Sequence, residues 1–137
     1  MSRRVAPPSG SPAPTHVKLA GQDIALTRLA ESVAERYFHE FPEDLERYGD
    51  AARAWEIHDT SYCLQWAVLD VEGLADLRHE IAWLTDVLGS RGFPLEHLAR
   101  NLELAASVVG EQLPGAGGAV AARLRSAAQI VRDRERI

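Results

Sequence analysis

Between Ile24 and Val131, apolar side chains recur three and four positions apart, and this spacing leaves the chain little choice of fold. Residues so spaced share one face of an α-helix, whereas a half-buried strand needs alternation at every second position. Ile24, Leu26, Leu29, Val33, Tyr37 and Phe41 form the first stripe, on a helix expected over about 23–41 with Asp23 as N-cap. Pro42 stops it, because proline disfavours the α conformation at Phe41. The segment PEDLERYG then reads as a short helix. Proline sits in its first turn, Glu43 and Asp44 complement the dipole, and Gly49 is a left-handed stop. Further helices are expected at about 50–71, 74–90, 95–113 and 119–136, separated by DVEG, RGFP and PGAGG. There are few β-branched runs and no alternating apolar stretch, so no sheet is expected. Short connections make neighbours antiparallel. The expected fold is all-α, an antiparallel helical bundle of about five long helices and one short helix, with a globin-like arrangement as one variant.

Residues 2–16, SRRVAPPSGSPAPTH, are rich in proline, serine and glycine and offer almost nothing to bury. The expected organisation is therefore a disordered basic tail over 1–21 and one helical domain over 22–137. Cys63 is the only cysteine, and no Cys-x-x-Cys pair or Cys/His cluster suggests zinc, so a reducing, cytoplasmic setting is expected. No apolar run approaches the roughly 18 residues of a transmembrane helix, and Arg3 and Arg4 are followed by prolines, unlike a secretory signal. The charge is uneven: residues 1–20 and 121–137 each carry +3, while 21–120 carry −11. A body of that sign repels nucleic-acid phosphates. The basic ends are expected to be solvated, or else to meet an acidic partner or the protein's own middle.

The densest chemistry is in WEIHDTSYCLQW, residues 55–66. On a helix, Trp55, Asp59, Tyr62 and Trp66 line one face, extended by Leu69, while Ile57, Leu64 and Val68 form a second stripe. A helix apolar on two sides is central to a bundle, and its polar residues must find partners. Asp59 and Tyr62 then act either as an internal polar pin, with Arg78 or Arg91 as the partner of Asp59, or as ligand contacts. His58 points between the stripes, with His79 the nearest candidate companion. No metal is expected, since no His-x-x-Glu, His-x-x-x-His or Glu-x-x-His pair occurs within a helix. Cys63 lacks the surroundings that lower a thiol pKa, so it is expected to be buried and inert. No nucleophile–base–orienter set and no glycine-rich phosphate loop is visible, so no catalytic residue is assigned and no enzyme is expected.

The segments RYGDAARAWEIHDTSYCLQWAV and DLRHEIAWLTDVLGSRGFPLEHLARNLELAASVV, followed by LPG and an alanine-rich last helix, carry a resemblance. They look like the helical N-terminal domain of bacterial cobalamin-binding-domain regulatory proteins. The matching positions are Arg47, Tyr48 and Gly49; Asp59 and Tyr62; Trp83, Arg91 and Gly92; and Pro94, Asn101 and Leu102. The position after Tyr62, often histidine in that family, is Cys63, and no Rossmann-like segment or Asp-x-His cobalamin signature is present. The resemblance implies a signalling-type helical domain and does not imply cobalamin binding. The shape is also similar to haem-free globin-like stress-sensor modules.

Two functions follow as expectations. The first is a non-enzymatic regulatory or protein-interaction domain of bacterial signalling type, without a cofactor. It meets a protein partner or another copy of itself rather than nucleic acid or membrane, and the last helix is a candidate docking element. The alternative is a small-molecule or tetrapyrrole sensor, with an aromatic-lined interior pocket drawn from Trp55, His58, Asp59, Tyr62, Trp66 and Trp83.

Overall fold

The computed structural model describes residues 12–135. The apolar stripes close on one another as five long helices: α1 (Leu26–Glu40), α3 (Ala52–Val71), α4 (Leu77–Ser90), α5 (Leu95–Gln112) and α6 (Gly117–Glu135). The short helix is α2 (Pro42–Tyr48), and a 3₁₀ turn, Gly49–Ala51, joins it to α3. The expected helical bundle is thus present. Pro42 sits at the start of α2, and Gly49, with φ of 71°, turns the chain out of it. Among the described residues, no helix is long and apolar enough to cross a membrane.

One element departs from the all-helical expectation. β1 (His16–Leu19) and β2 (Gln22–Ala25) form an antiparallel hairpin in register Val17 opposite Ile24 and Leu19 opposite Gln22. Its two-residue turn is Ala20-Gly21, both at positive φ, the geometry that suits the twist of a tight hairpin. The Ala20 N–H donates to Glu72 Oε1 at 2.7 Å, tying the turn to the end of α3. Val17 and Leu19 are buried in the core, so the domain boundary expected after residue 21 falls inside the hairpin. Asp23 and Ile24 belong to β2, and α1 begins at Leu26 without a side-chain cap. The rest of the expected tail, residues 1–11, lies outside the described residues.

The α4 helix starts later than the spacing predicts. Asp76 caps it by accepting the His79 N–H, and Leu74, assigned by its spacing to the buried face, is 75% exposed in the preceding turn.

The core runs through every long helix. Leu26, Val33, Leu64, Val68, Ile81, Leu84, Leu102, Val108, Val109, Val120, Leu124 and Val131 are its largest fully buried side chains. The α6 helix, expected to offer a thin apolar side for docking, instead buries Val120, Ala121, Leu124, Ala127, Ala128 and Val131. Its arginines turn to the acidic body. Arg132 binds Glu96 and Glu103, Arg134 binds Asp86, and Arg123 binds Asp70. The C-terminal positive charge is therefore largely answered within the chain.

The α5–α6 turn is tight enough to require glycine. A β-carbon on Gly117 would sit 2.7 Å from Leu113 Cβ and 3.1 Å from the Val109 carbonyl oxygen. Gly117→Ala should therefore cost about 1–3 kcal/mol, the usual range for overpacking, despite the better helix propensity of alanine. Urea melts would check this, and an unchanged or raised midpoint would show that the turn can yield.

Candidate functional site

Ala52, Trp55, Glu56 and Asp59 follow one another at helical spacing, so a single face of α3 presents an indole and two carboxyls together. Opposite that face lie Tyr37 and Phe38 from α1, Asp44 and Tyr48 from α2, Leu88 from α4, and Phe93 in the turn before α5. Together they enclose a partly open cavity of about 40 Å³. That is room for about three waters, or for a small head group of similar bulk. Of the residues lining it, three are carboxylic acids, five are aromatic, and none is basic.

Asp44 is only 2% exposed. The Tyr37 hydroxyl donates to its Oδ2, and His97 Nδ1 lies 2.9 Å from the same oxygen. Its other oxygen, Oδ1, is buried without a hydrogen-bond partner. His97 is held by stacking on Phe41, with ring centroids 3.9 Å apart. Burial, together with the hydrogen bond to Asp44, pushes the Tyr37 phenol far above its usual range, so it stays a donor.

Glu56 is the end of an internal chain of hydrogen bonds. Asn101 Nδ2 donates to Thr60 Oγ1 at 2.9 Å, and Thr60 donates to Glu56 Oε2 at 3.1 Å. Burial raises the Glu56 carboxyl well above the ordinary carboxylate range; Thr60 opposes the shift, and the charges of Asp59 and Asp44 add to it. Asp59 is raised too, chiefly by burial, against the pull of His58 and Arg91. Of the two arginines expected to partner Asp59, Arg91 is the one whose charge reaches it.

The face that the sequence assigns to one pocket divides in two. Trp55 and Asp59 line the cavity. His58 Nδ1 lies 3.0 Å from Asp59 Oδ1, so the histidine stands behind the cavity wall. Tyr62 turns away, donating to the Pro12 carbonyl oxygen at 2.8 Å, and its ring lies 5.1 Å from His58 and 5.8 Å from Trp66. Trp66 is half-buried against the core. Trp83 sits on the outer face of α4, 39% exposed, and does not line the cavity. Spacing alone does not reveal Tyr37, Asp44, Tyr48, Glu56, Phe93 and His97 as site residues. Only Glu56 had a local signal, as a carboxyl on the same face as Trp55 and Asp59.

Two further observations bear on chemistry. Among the described residues, no three His, Cys, Asp or Glu side chains are grouped so as to hold a metal ion. Cys63 is buried, and burial raises its thiol well above the usual value, which keeps it protonated and unreactive.

The raised carboxyls carry a stability signature. Because the folded state holds their protons more tightly than the unfolded chain, their contribution is full below the ordinary carboxylate pKa. It is lost as pH rises through the folded values. Asp70, Glu96, Glu103 and Glu111 are lowered and act in the opposite sense, but only as pH falls below the ordinary range. Glu56→Gln keeps the acceptor for Thr60 and removes the buried charge. It should raise stability at neutral pH by about 0.5–2 kcal/mol and flatten the decline as pH rises above the ordinary carboxylate range. Thermal melts across that range would check it, and a destabilised variant with an unaltered slope would contradict the assignment.

In comparisons with known proteins, the chain matches no family model, no curated protein and no solved structure.

Proposed function

We propose that this chain is a non-catalytic, ligand-binding regulatory module whose ligand enters the cavity between α1, α2, α3, the end of α4 and the turn before α5. The observation that carries this reading is the convergence of aromatic rings and carboxyl groups from α1, α2 and α3 on one partly open cavity. The surrounding rings give the contact area that small-molecule sites use, and the few polar groups give orientation. The reading favours the sensor expectation over the docking-surface one, because α6 buries the apolar side that docking would need. It also narrows that expectation. A tetrapyrrole needs the several hundred Å³ typical of ligand pockets, and this cavity is far smaller. The likeness to signalling-type helical domains agrees with a regulatory role.

Protein-detected NMR with a small fragment library tests the proposal. Fragments that bind should shift the amides of Asp44, Ala52, Trp55, Glu56, Leu88 and Phe93 as one group. Hits scattered over the surface, with these amides unmoved, would overturn it.

A further inference from the structure

We infer that residues 1–11 dock as an extended strap along the first half of α3, over the aromatic mouth formed by Tyr48, Trp55 and Phe93, and compete there with an entering ligand. This goes beyond the ligand-binding reading above and supplies its regulation, since the occupant of the unliganded mouth is a segment of the chain itself.

The described chain delivers the segment to that place. The Ala20 N–H is bonded to Glu72 at the end of α3, and β1 packs on the same helix. The Pro12 carbonyl oxygen accepts from Tyr62, in the middle of α3, at 2.8 Å. Followed from Ala20 back to Pro12, the chain thus runs along α3 from its C-terminal end toward its start. Ala13 and Pro14 are half-buried on the way. Continued in that direction, the chain meets Asp59 and then Trp55, both on the wall of the cavity. From Tyr62 to Trp55 is about 10 Å along a helix. From Pro12 to Pro8 is about 12 Å in a polyproline II conformation. Pro7 and Pro8 therefore come level with Trp55.

The chemistry of the two sides matches. Proline-rich segments dock on aromatic-lined grooves because their rings are apolar and their backbone is already stiff. Tyr48, Trp55 and Phe93 are each only half-buried, and Tyr48 lies 6.5 Å from Trp55 and 6.0 Å from Phe93 between ring centroids. Residues 1–11 carry Arg3 and Arg4 and no acid, whereas residues 42–50, beside the mouth, carry four acids and one arginine. Of these acids Glu43, Glu46 and Asp50 are exposed. Attachment through Pro12 presents the segment at an effective concentration of about millimolar, so a weak contact suffices. A second copy of the chain has no such advantage, and its own acidic body opposes the approach.

A spin label on Ser9→Cys in the full chain tests the inference. Cys63 is buried, so the new thiol is the one that reacts. The label should broaden the amides of Tyr48, Trp55 and Phe93 selectively. Pro7→Gly with Pro8→Gly, which lie outside the core, should weaken that broadening. The same pair should tighten a cavity-binding fragment at least about threefold, because a mouth already occupied lowers apparent affinity by its free fraction. Broadening spread evenly over the surface, or confined to another face, would overturn the inference. So would broadening that arises only between labelled and unlabelled copies in a mixed sample, since the segment then reaches a second molecule. If fragments shift the cavity amides equally in parent and glycine variant, the strap fails and the ligand site stands. If the label marks the mouth but no fragment shifts those amides in either protein, the strap stands and the ligand-binding reading fails.

Discussion

Asp44→Ala should destabilise the fold by about 3–5 kcal/mol, the range seen when one partner of a buried polar cluster is removed. One carboxylate oxygen takes both the Tyr37 hydroxyl and the His97 ring nitrogen, so the truncation strands two donors at once. Tyr37 is buried in the core, where water cannot substitute cheaply. The loss should also free α2, which is only seven residues long and has Asp44 as its one buried side chain. Denaturant melts of Asp44→Ala beside Tyr37→Phe separate the contributions. The phenylalanine variant should lose about 1–2 kcal/mol, for a single hydrogen bond. A loss under about 1 kcal/mol in Asp44→Ala would show that the carboxylate anchors nothing and serves the cavity alone.

Leu102→Ala should cost a comparable amount, about 2–5 kcal/mol, for a different reason. Leu102 lies in the middle of α5 with no exposed surface, one position after Asn101, which feeds the Thr60–Glu56 chain. Removing its branched end leaves a void that the flanking Ala99, Ala105 and Ala106 cannot fill. The cost should appear in urea midpoints without a change in slope, because the unfolded state is not altered. A changed slope would mean that the truncation loosens the native bundle rather than hollowing it.

The helices were legible because the periodicity that makes each one is local. The stripe from Leu26 to Tyr37, the proline at 42 and the RGFP break each act within a few residues, and each appears in the structure where spacing puts it. The hairpin was not legible. Its turn is Ala-Gly rather than Asn-Gly or Asp-Gly, and its inward side has only Val17, Leu19 and the half-buried Ile24, too short an alternation to register. Leu74 failed for a related reason: Asp76 offers a better cap than any earlier residue, so the helix starts after the leucine.

For the candidate site, helical spacing brought Trp55 and Asp59 together, as the cavity does. The same spacing put Tyr62 and Trp66 beside them, whereas Tyr62 is drawn to the Pro12 carbonyl and Trp66 packs against the core. Asp44 reads locally as a helix-dipole acid and Tyr37 as a core aromatic. Their pairing, and the arrival of His97 from α5, spans 53 residues and has no local signal. The arginines of α6 show the same limit. Their clustering is plain in the sequence, but their acceptors, Asp70, Asp86, Glu96 and Glu103, are fixed only when the bundle closes.

The central claim is that the cavity lined by Tyr48, Trp55 and Phe93 is a ligand site and not a packing defect. A crystal structure of the full chain grown with a fragment that shifts the cavity amides tests it most directly. The account predicts the fragment seated against Trp55, Tyr48 and Phe93 with the bundle unmoved. Ordered water alone in the cavity, with the fragment absent or bound elsewhere, would contradict it.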